Sequence, residues 1–230
     1  MITALHRVAE SDCEHIGRGL FAQPANALSS LAYVLAGVLV LGRAAVVRQG
    51  ARLAPAVYAV TVIGVGIGSA AFHGPMPAWG RFAHDLSIAA VLVFVIGYDV
   101  AFTRRATVSV GLAVFGGLAG ACAVVLALWP DTGNALDAVL IAGATAAEIG
   151  ASRSAVGRAT PDARLWILIV GVVAIGALLD ALGRTDAALC EPDSPVQLHA
   201  LWHVLTAFVL WLYGTAALGP REQARPKIRA

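Results

Sequence analysis

Six histidines punctuate the chain, and two of them, His199 and His203, stand four residues apart in the run Leu198-His199-Ala200-Leu201-Trp202-His203. On a helix that spacing stacks two imidazoles on one face, at a separation that a single metal ion can bridge. A third nitrogen from His73 would leave open the fourth position that water takes in catalytic zinc sites. Asp85 is the carboxylate expected at the same depth, able to orient that water or take its proton. Ser69 precedes His73 by one helical turn, so it shares that face and can donate to an oxyanion or to bound water. Each residue also has a plainer role. Paired histidines at a helix end hydrogen-bond to interfacial water and headgroups, and HxxxH recurs by chance. Ser69, beside Gly64, Gly66 and Gly68, also suits close helix packing.

Residues so far apart in sequence need a scaffold. The chain is 59% apolar and only 13% charged, outside the range of ordinary soluble domains, so a bilayer is the expected solvent. Runs of about 20 apolar residues place spans near 26–47, 53–74, 80–101, 107–129, 133–151, 163–183 and 196–218. Punctuation agrees at Gln49-Gly50, Gly74-Pro75-Met76-Pro77, Arg104-Arg105, Trp129-Pro130-Asp131, 152–162 and Glu191-Pro192-Asp193-Ser194-Pro195. The fifth span, with Asp137 and Glu148, is the least apolar by this reading. No repeat or low-complexity segment interrupts the pattern. The fold class expected is therefore an all-α polytopic membrane protein, a seven-helix transmembrane bundle. An outer segment 1–25 precedes the domain at 26–219, and a basic tail 220–230 follows it.

Charge sets the expected topology. Arg43, Arg48, Arg52, Arg104, Arg105, Arg153, Arg158, Arg164, Arg221, Arg225, Lys227 and Arg229 fall on one side, against Arg7, Arg18, Arg81 and Arg184 on the other. The positive-inside rule then puts the N-terminus outside and the C-terminus in the cytoplasm, which an odd number of spans satisfies. All six histidines fall on the outer side. Residues 1–25 carry Arg7, Glu10, Asp12, Glu14, His15 and Arg18 without an apolar h-region, so no removable signal peptide is expected and the first span does the targeting. A formal charge of +2, dispersed between apolar runs, gives no basis for a nucleic-acid partner. Cys13, Cys122 and Cys190 form no CxxC pair. That excludes a four-thiolate site and leaves room for a single disulfide.

Other polar residues accompany the spans. Asp180, near the outer end of the sixth, can hold a histidine N–H or a substrate hydroxyl, or simply sit in interfacial water. Asp99, Asp137 and Glu148 raise the alternative of an ion path, and a proton-coupled transporter would use Asp85, Asp137 and Glu148 with the histidines as relay groups, although no inverted repeat supports it. Trp79 and Trp129 read as interfacial anchors, and Trp202 as packing beside the histidines.

The runs Gly68-Ser69-Ala70-Ala71-Phe72-His73, then Asp85, then Gln197-Leu198-His199-Ala200-Leu201-Trp202-His203-Val204-Leu205-Thr206 resemble the alkaline ceramidases. Those are seven-helix hydrolases of the superfamily that includes the adiponectin-receptor-like proteins. The resemblance extends to Asp12-Cys13-Glu14, Asn26, Ser29 and Asp186. It implies a zinc site of His73, His199 and His203, with Asp85 activating water and Ser69 stabilising the oxyanion of amide hydrolysis. It also implies a Cys13–Cys190 disulfide, and the topology expected above places both cysteines outside, where a bridge persists. Cys122, inside the fourth span, reads as a packed thiol.

Three departures bear on substrate and ions. The turn between His73 and Asp85 is one residue longer than the family pattern, with two prolines, and Leu86 stands where an acid is usual. The family is also calcium-regulated through acidic and amide side chains near the N-terminus. Here only Glu14 keeps an acidic match, with Ile16 and Gln23 at other ligand positions, so no calcium site is claimed. The function expected is zinc-dependent hydrolysis of an N-acyl lipid drawn from the bilayer, such as ceramide. A non-enzymatic receptor with structural zinc is the rival, against which Asp85 and Ser69 argue. Richness in Ala, Val, Gly and Arg with one lysine suggests a bacterial coding sequence, hence a plasma-membrane location.

Overall fold

The computed structural model describes residues 12–46, 52–153 and 163–218, and among them regular structure is entirely helical. Eight α-helices follow one another: α1 Pro24–Ser29, α2 Leu31–Ala45, α3 Leu53–His73, α4 Gly80–Thr103, α5 Val108–Leu128, α6 Gly133–Arg153, α7 Ala163–Leu182 and α8 Leu198–Ala217. Ser30 keeps helical dihedrals between α1 and α2, so these two form one span. Seven helical segments are long and apolar enough to cross a membrane, the first being Pro24–Ala45. They coincide with the expected runs to within a few residues. The widest difference is at the fifth, which begins in a 3-10 turn at Pro130 and runs to Arg153 despite Asp137 and Glu148. His6 and the tail 220–230 lie outside the described residues.

Helix α3 occupies the middle. It packs between α2 and α4 and also meets α1 and α8, while α4 carries α5 and α6, and α8 carries α7. Helices α6 and α7 share no comparable packing. Lipid is as apolar as leucine, so close fit rather than burial from water must hold such helices together. Gly68 shows how: a Cβ there would lie 2.7 Å from the Ala83 carbonyl oxygen of α4. Gly66 likewise leaves no room for a side chain against Ser30 and Val34. Tyr58, Ala59, Val62 and Phe94 fill the centre, and the fully buried Tyr58 hydroxyl donates to the Leu210 carbonyl at 2.8 Å. The apolar windows of the first three spans are 39–50% buried, those of the fourth to sixth only 11–17%. The latter three therefore present most of their surface to lipid.

At the histidine end, the segment before α1 lies across the bundle. A disulfide joins Cys13 to Cys190, in the loop between α7 and α8. Beside it Cys13 N donates to Thr185 Oγ1 and His15 N to the Pro192 carbonyl, each at 3.1 Å. Farther along, Ala22 N and Gln23 N donate to the carbonyls of Gly74 and His73. Both loops of the bridge contain a non-glycine residue in the left-handed region, Cys13 at φ 67° and Asp186 at φ 65°, a cost that surrounding structure must offset. Cys122 is a buried free thiol in α5.

Candidate metal centre

The last turn of α3 carries Ser69 and His73, and the first turns of α8 carry His199 and His203. These ends converge. One ligand nitrogen from each of His73, His199 and His203 lies within 4.8 Å of the others. Ring centroids are 4.5 Å apart for His199 and His203, 5.1 Å for His73 and His199, and 5.3 Å for His73 and His203. His73 and His203 are buried.

Hydrogen bonds fix which nitrogen each ring offers. The Glu14 carbonyl can only accept, and Gln23 Nε2 donates to it at 3.0 Å. Gln23 Oε1 therefore faces His73 Nδ1, at 2.7 Å. An amide oxygen only accepts, so Nδ1 carries the proton and Nε2 the lone pair. His199 Nδ1 donates to the Asp180 carboxylate at 2.7 Å. His203 Nδ1 lies 3.2 Å from the Asn26 carbonyl and 2.9 Å from Ser29 Oγ. All three rings thus turn Nε2 inward. His73 Nε2 and His199 Nε2 are buried without a hydrogen-bond partner. Three lone pairs facing one another are repulsive unless a cation joins them, and rings pinned through their other nitrogen are the usual supports of a zinc ligand set. The donor set therefore fits zinc.

The other expected residues fall into place unequally. Ser69 is buried among the rings, with Oγ 3.4 Å from His203 Nε2, and accepts from Ser30 Oγ at 3.0 Å. Gly66 and Gly68 make the close helix contacts, while Ser69 itself faces the histidines. Asp180 takes the first of its expected roles, holding His199, and Arg184 lies 3.4 Å from its other oxygen. Asp85 is not one of the group at the ring nitrogens. Its Oδ1 meets His84 Nδ1 at 2.9 Å, its Oδ2 lies 3.7 Å from Arg81, and it presses on Gly133, where a Cβ would lie 2.5 Å from Oδ2. His84 in turn stands with its ring 6.0 Å from that of His73, edge-on, and 4.9 Å from Phe72.

Several contributors carried no signal in the sequence for a place beside the histidines. Gln23 and Ser30 lie in no periodic pattern that marks them. Glu14 spends both carboxylate oxygens on the backbone N–H groups of Ala25 and Asn26, at 2.7 and 2.9 Å. The one acidic match to the family's calcium ligands, Glu14, is thus already bonded, and Gln23, at another ligand position, turns an N–H donor toward the Glu14 carbonyl. Calcium needs six or more oxygens, and these residues do not fit it. The Asn26 side chain is fully buried with neither amide atom hydrogen-bonded.

Among the described residues, seven membrane-length helices and three histidines close enough to hold a metal ion define a polytopic membrane protein with a candidate metal site. The family model described as Ceramidase matches residues 13–218, and the chain belongs to that family. Membership makes it a membrane hydrolase of the amide-cleaving kind. No curated protein and no solved structure matches it.

Proposed function

We propose that this protein is a zinc-dependent amidase that cleaves an N-acyl lipid such as ceramide into a fatty acid and an amine. The convergence of three imidazole lone pairs, each ring fixed through its opposite nitrogen, carries the reading. His73, His199 and His203 would hold the ion, which when bound supplies Lewis acidity and makes water acidic enough to attack near neutral pH.

The chain's own groups do the rest. Ser69, within hydrogen-bond reach of Ser30 and of His203 Nε2, would turn its O–H to the oxygen of the attacked carbonyl, where charge develops. Asp85 is the proton acceptor in this reading, and His84, bonded to it and facing His73, is the group through which the proton passes. Water oxygen bonds to the acyl carbon, the C–N bond breaks, and the stored proton goes to the departing amine. Acyl chains would enter from the bilayer between α6 and α7, which share no extensive packing. Arg43, Arg52, Arg104, Arg105, Arg153 and Arg164 lie at the opposite ends of the spans from the histidines, which supports a centre on the outer face of a plasma membrane.

Metal content of detergent-purified protein, measured with fatty-acid release from a panel of N-acyl lipids, tests this. Stoichiometric zinc in the wild type, absent in His199→Ala but retained in an inactive Asp85→Ala, is the expected result. Wild-type protein without zinc overturns it. Zinc without release from any N-acyl lipid favours a structural site and a receptor.

A further inference from the structure

Within the segment before α1, the Gln23 side chain touches the His73 ring. Gln23 is fully buried. Its Nε2 donates to the Glu14 carbonyl and its Oε1 receives His73 Nδ1–H, while its own backbone N–H donates to the His73 carbonyl at 2.9 Å. Glu14 sits beside the Cys13–Cys190 bridge and is itself clamped onto the start of α1 by two backbone donors. From these contacts we infer that Gln23 is a positioning residue for His73, and that with Glu14 it forms a clasp doing by hydrogen bonds, without calcium, what a bound cation would do here. The inference rests on His73 being a metal ligand.

The physical case turns on the amide. A carboxylate at position 23 could accept from His73 but would set a negative oxygen against the Glu14 carbonyl, an arrangement that needs a cation between them. An amide presents a donor at that point instead, so the two oxygens never face each other. Only glutamine, or a residue of its reach and dual character, satisfies both neighbours at once. Removing it frees the His73 ring to rotate or to exchange tautomer, and loss of such a partner weakens metal binding by about 10- to 100-fold.

The test compares wild type, Gln23→Leu and Gln23→Glu in detergent, by zinc-chelator competition and by thermal unfolding with calcium chloride or a calcium chelator. Wild type is expected to unfold at one temperature whether calcium is present or removed. Gln23→Leu should keep its helical signal and its disulfide while its zinc affinity falls by about 10- to 100-fold. Gln23→Glu, which retains the acceptor for His73, should bind zinc more tightly than Gln23→Leu and be stabilised by calcium. Unchanged zinc affinity in Gln23→Leu, or stabilisation of the wild type by calcium, overturns the inference. Were wild type to hold no zinc, the amidase reading would fail separately, and the calcium arm would still decide whether the clasp is self-sufficient.

Discussion

Removing the Asp180 carboxylate tests the metal centre where its geometry is simplest. His199 Nδ1 donates to Asp180 Oδ1 at 2.7 Å, and the two side chains are 12% and 18% exposed. In Asp180→Ala the ring keeps a largely buried N–H without a partner, which costs about 1–3 kcal/mol. The ring can recover part of that by turning, but then it no longer aims Nε2 inward. At about 1.4 kcal/mol per tenfold, zinc should bind about fivefold to 150-fold more weakly. Asp180→Asn keeps an oxygen acceptor and loses only the charge, so its loss should be the smaller of the two. Competition against a chromophoric chelator gives the affinities, and helicity with melting temperature establishes that each variant is folded. A folded Asp180→Ala with wild-type zinc affinity would refute the argument that Asp180 aims His199. So would Asp180→Asn proving as damaging as alanine.

Further outcomes follow from other contacts. Ser69→Ala should lower kcat about 10²- to 10³-fold with zinc content and KM little changed, and steady-state hydrolysis of an N-acyl lipid reads this directly. The Cys13–Cys190 bridge closes a loop of sequence separation 177. For a random chain such a loop would contribute about 5 kcal/mol, an upper bound where helices stay inserted after unfolding. Reduction, or the double serine variant, should lower the melting temperature by about 5 °C or more, as scanning fluorimetry with and without reductant will show. Gly68→Val drives a side chain into the Ala83 carbonyl and should destabilise by about 1–3 kcal/mol. Gly64, whose Cβ would meet nothing within 4 Å, should accept alanine at no comparable cost, and denaturant titration separates the two.

Hydropathy alone located the spans, because a membrane-crossing segment is defined by length and apolarity and both are local properties. The depth of His73, His199 and His203 followed from where they fall along those spans. Azimuth did not follow. Whether Ser69 or its glycine neighbours faced the next helix depended on Gly66 and Gly68 meeting specific backbone atoms, which no periodicity records. For the same reason Asp180 carried two roles until its carboxylate was placed against His199. Asp85 and His84 are adjacent on α4, so they point about 100° apart, and the sequence offered no means to learn that His84 is the one facing His73. Gln23, Glu14 and Ser30 were illegible in a different way. They lie in or beside a segment without regular structure, positioned by a disulfide and by backbone bonds to distant loops. Residue type is all the sequence offers on calcium, and the bonds of Glu14 to Ala25 and Asn26 and of Gln23 to His73 are legible only in the fold.

The bridge from Cys13 to Cys190, and the centre shared by α3 and α8, also order events in time. A chain that enters the bilayer span by span carries His73 early and completes the ligand set only when the last span arrives. Until then the first cysteine has no partner and the second-span histidine no companions. A chain arrested before the seventh span lacks His199 and His203. Completion of insertion, pairing of Cys13 with Cys190 and the meeting of the three histidines thus fall at the same late stage.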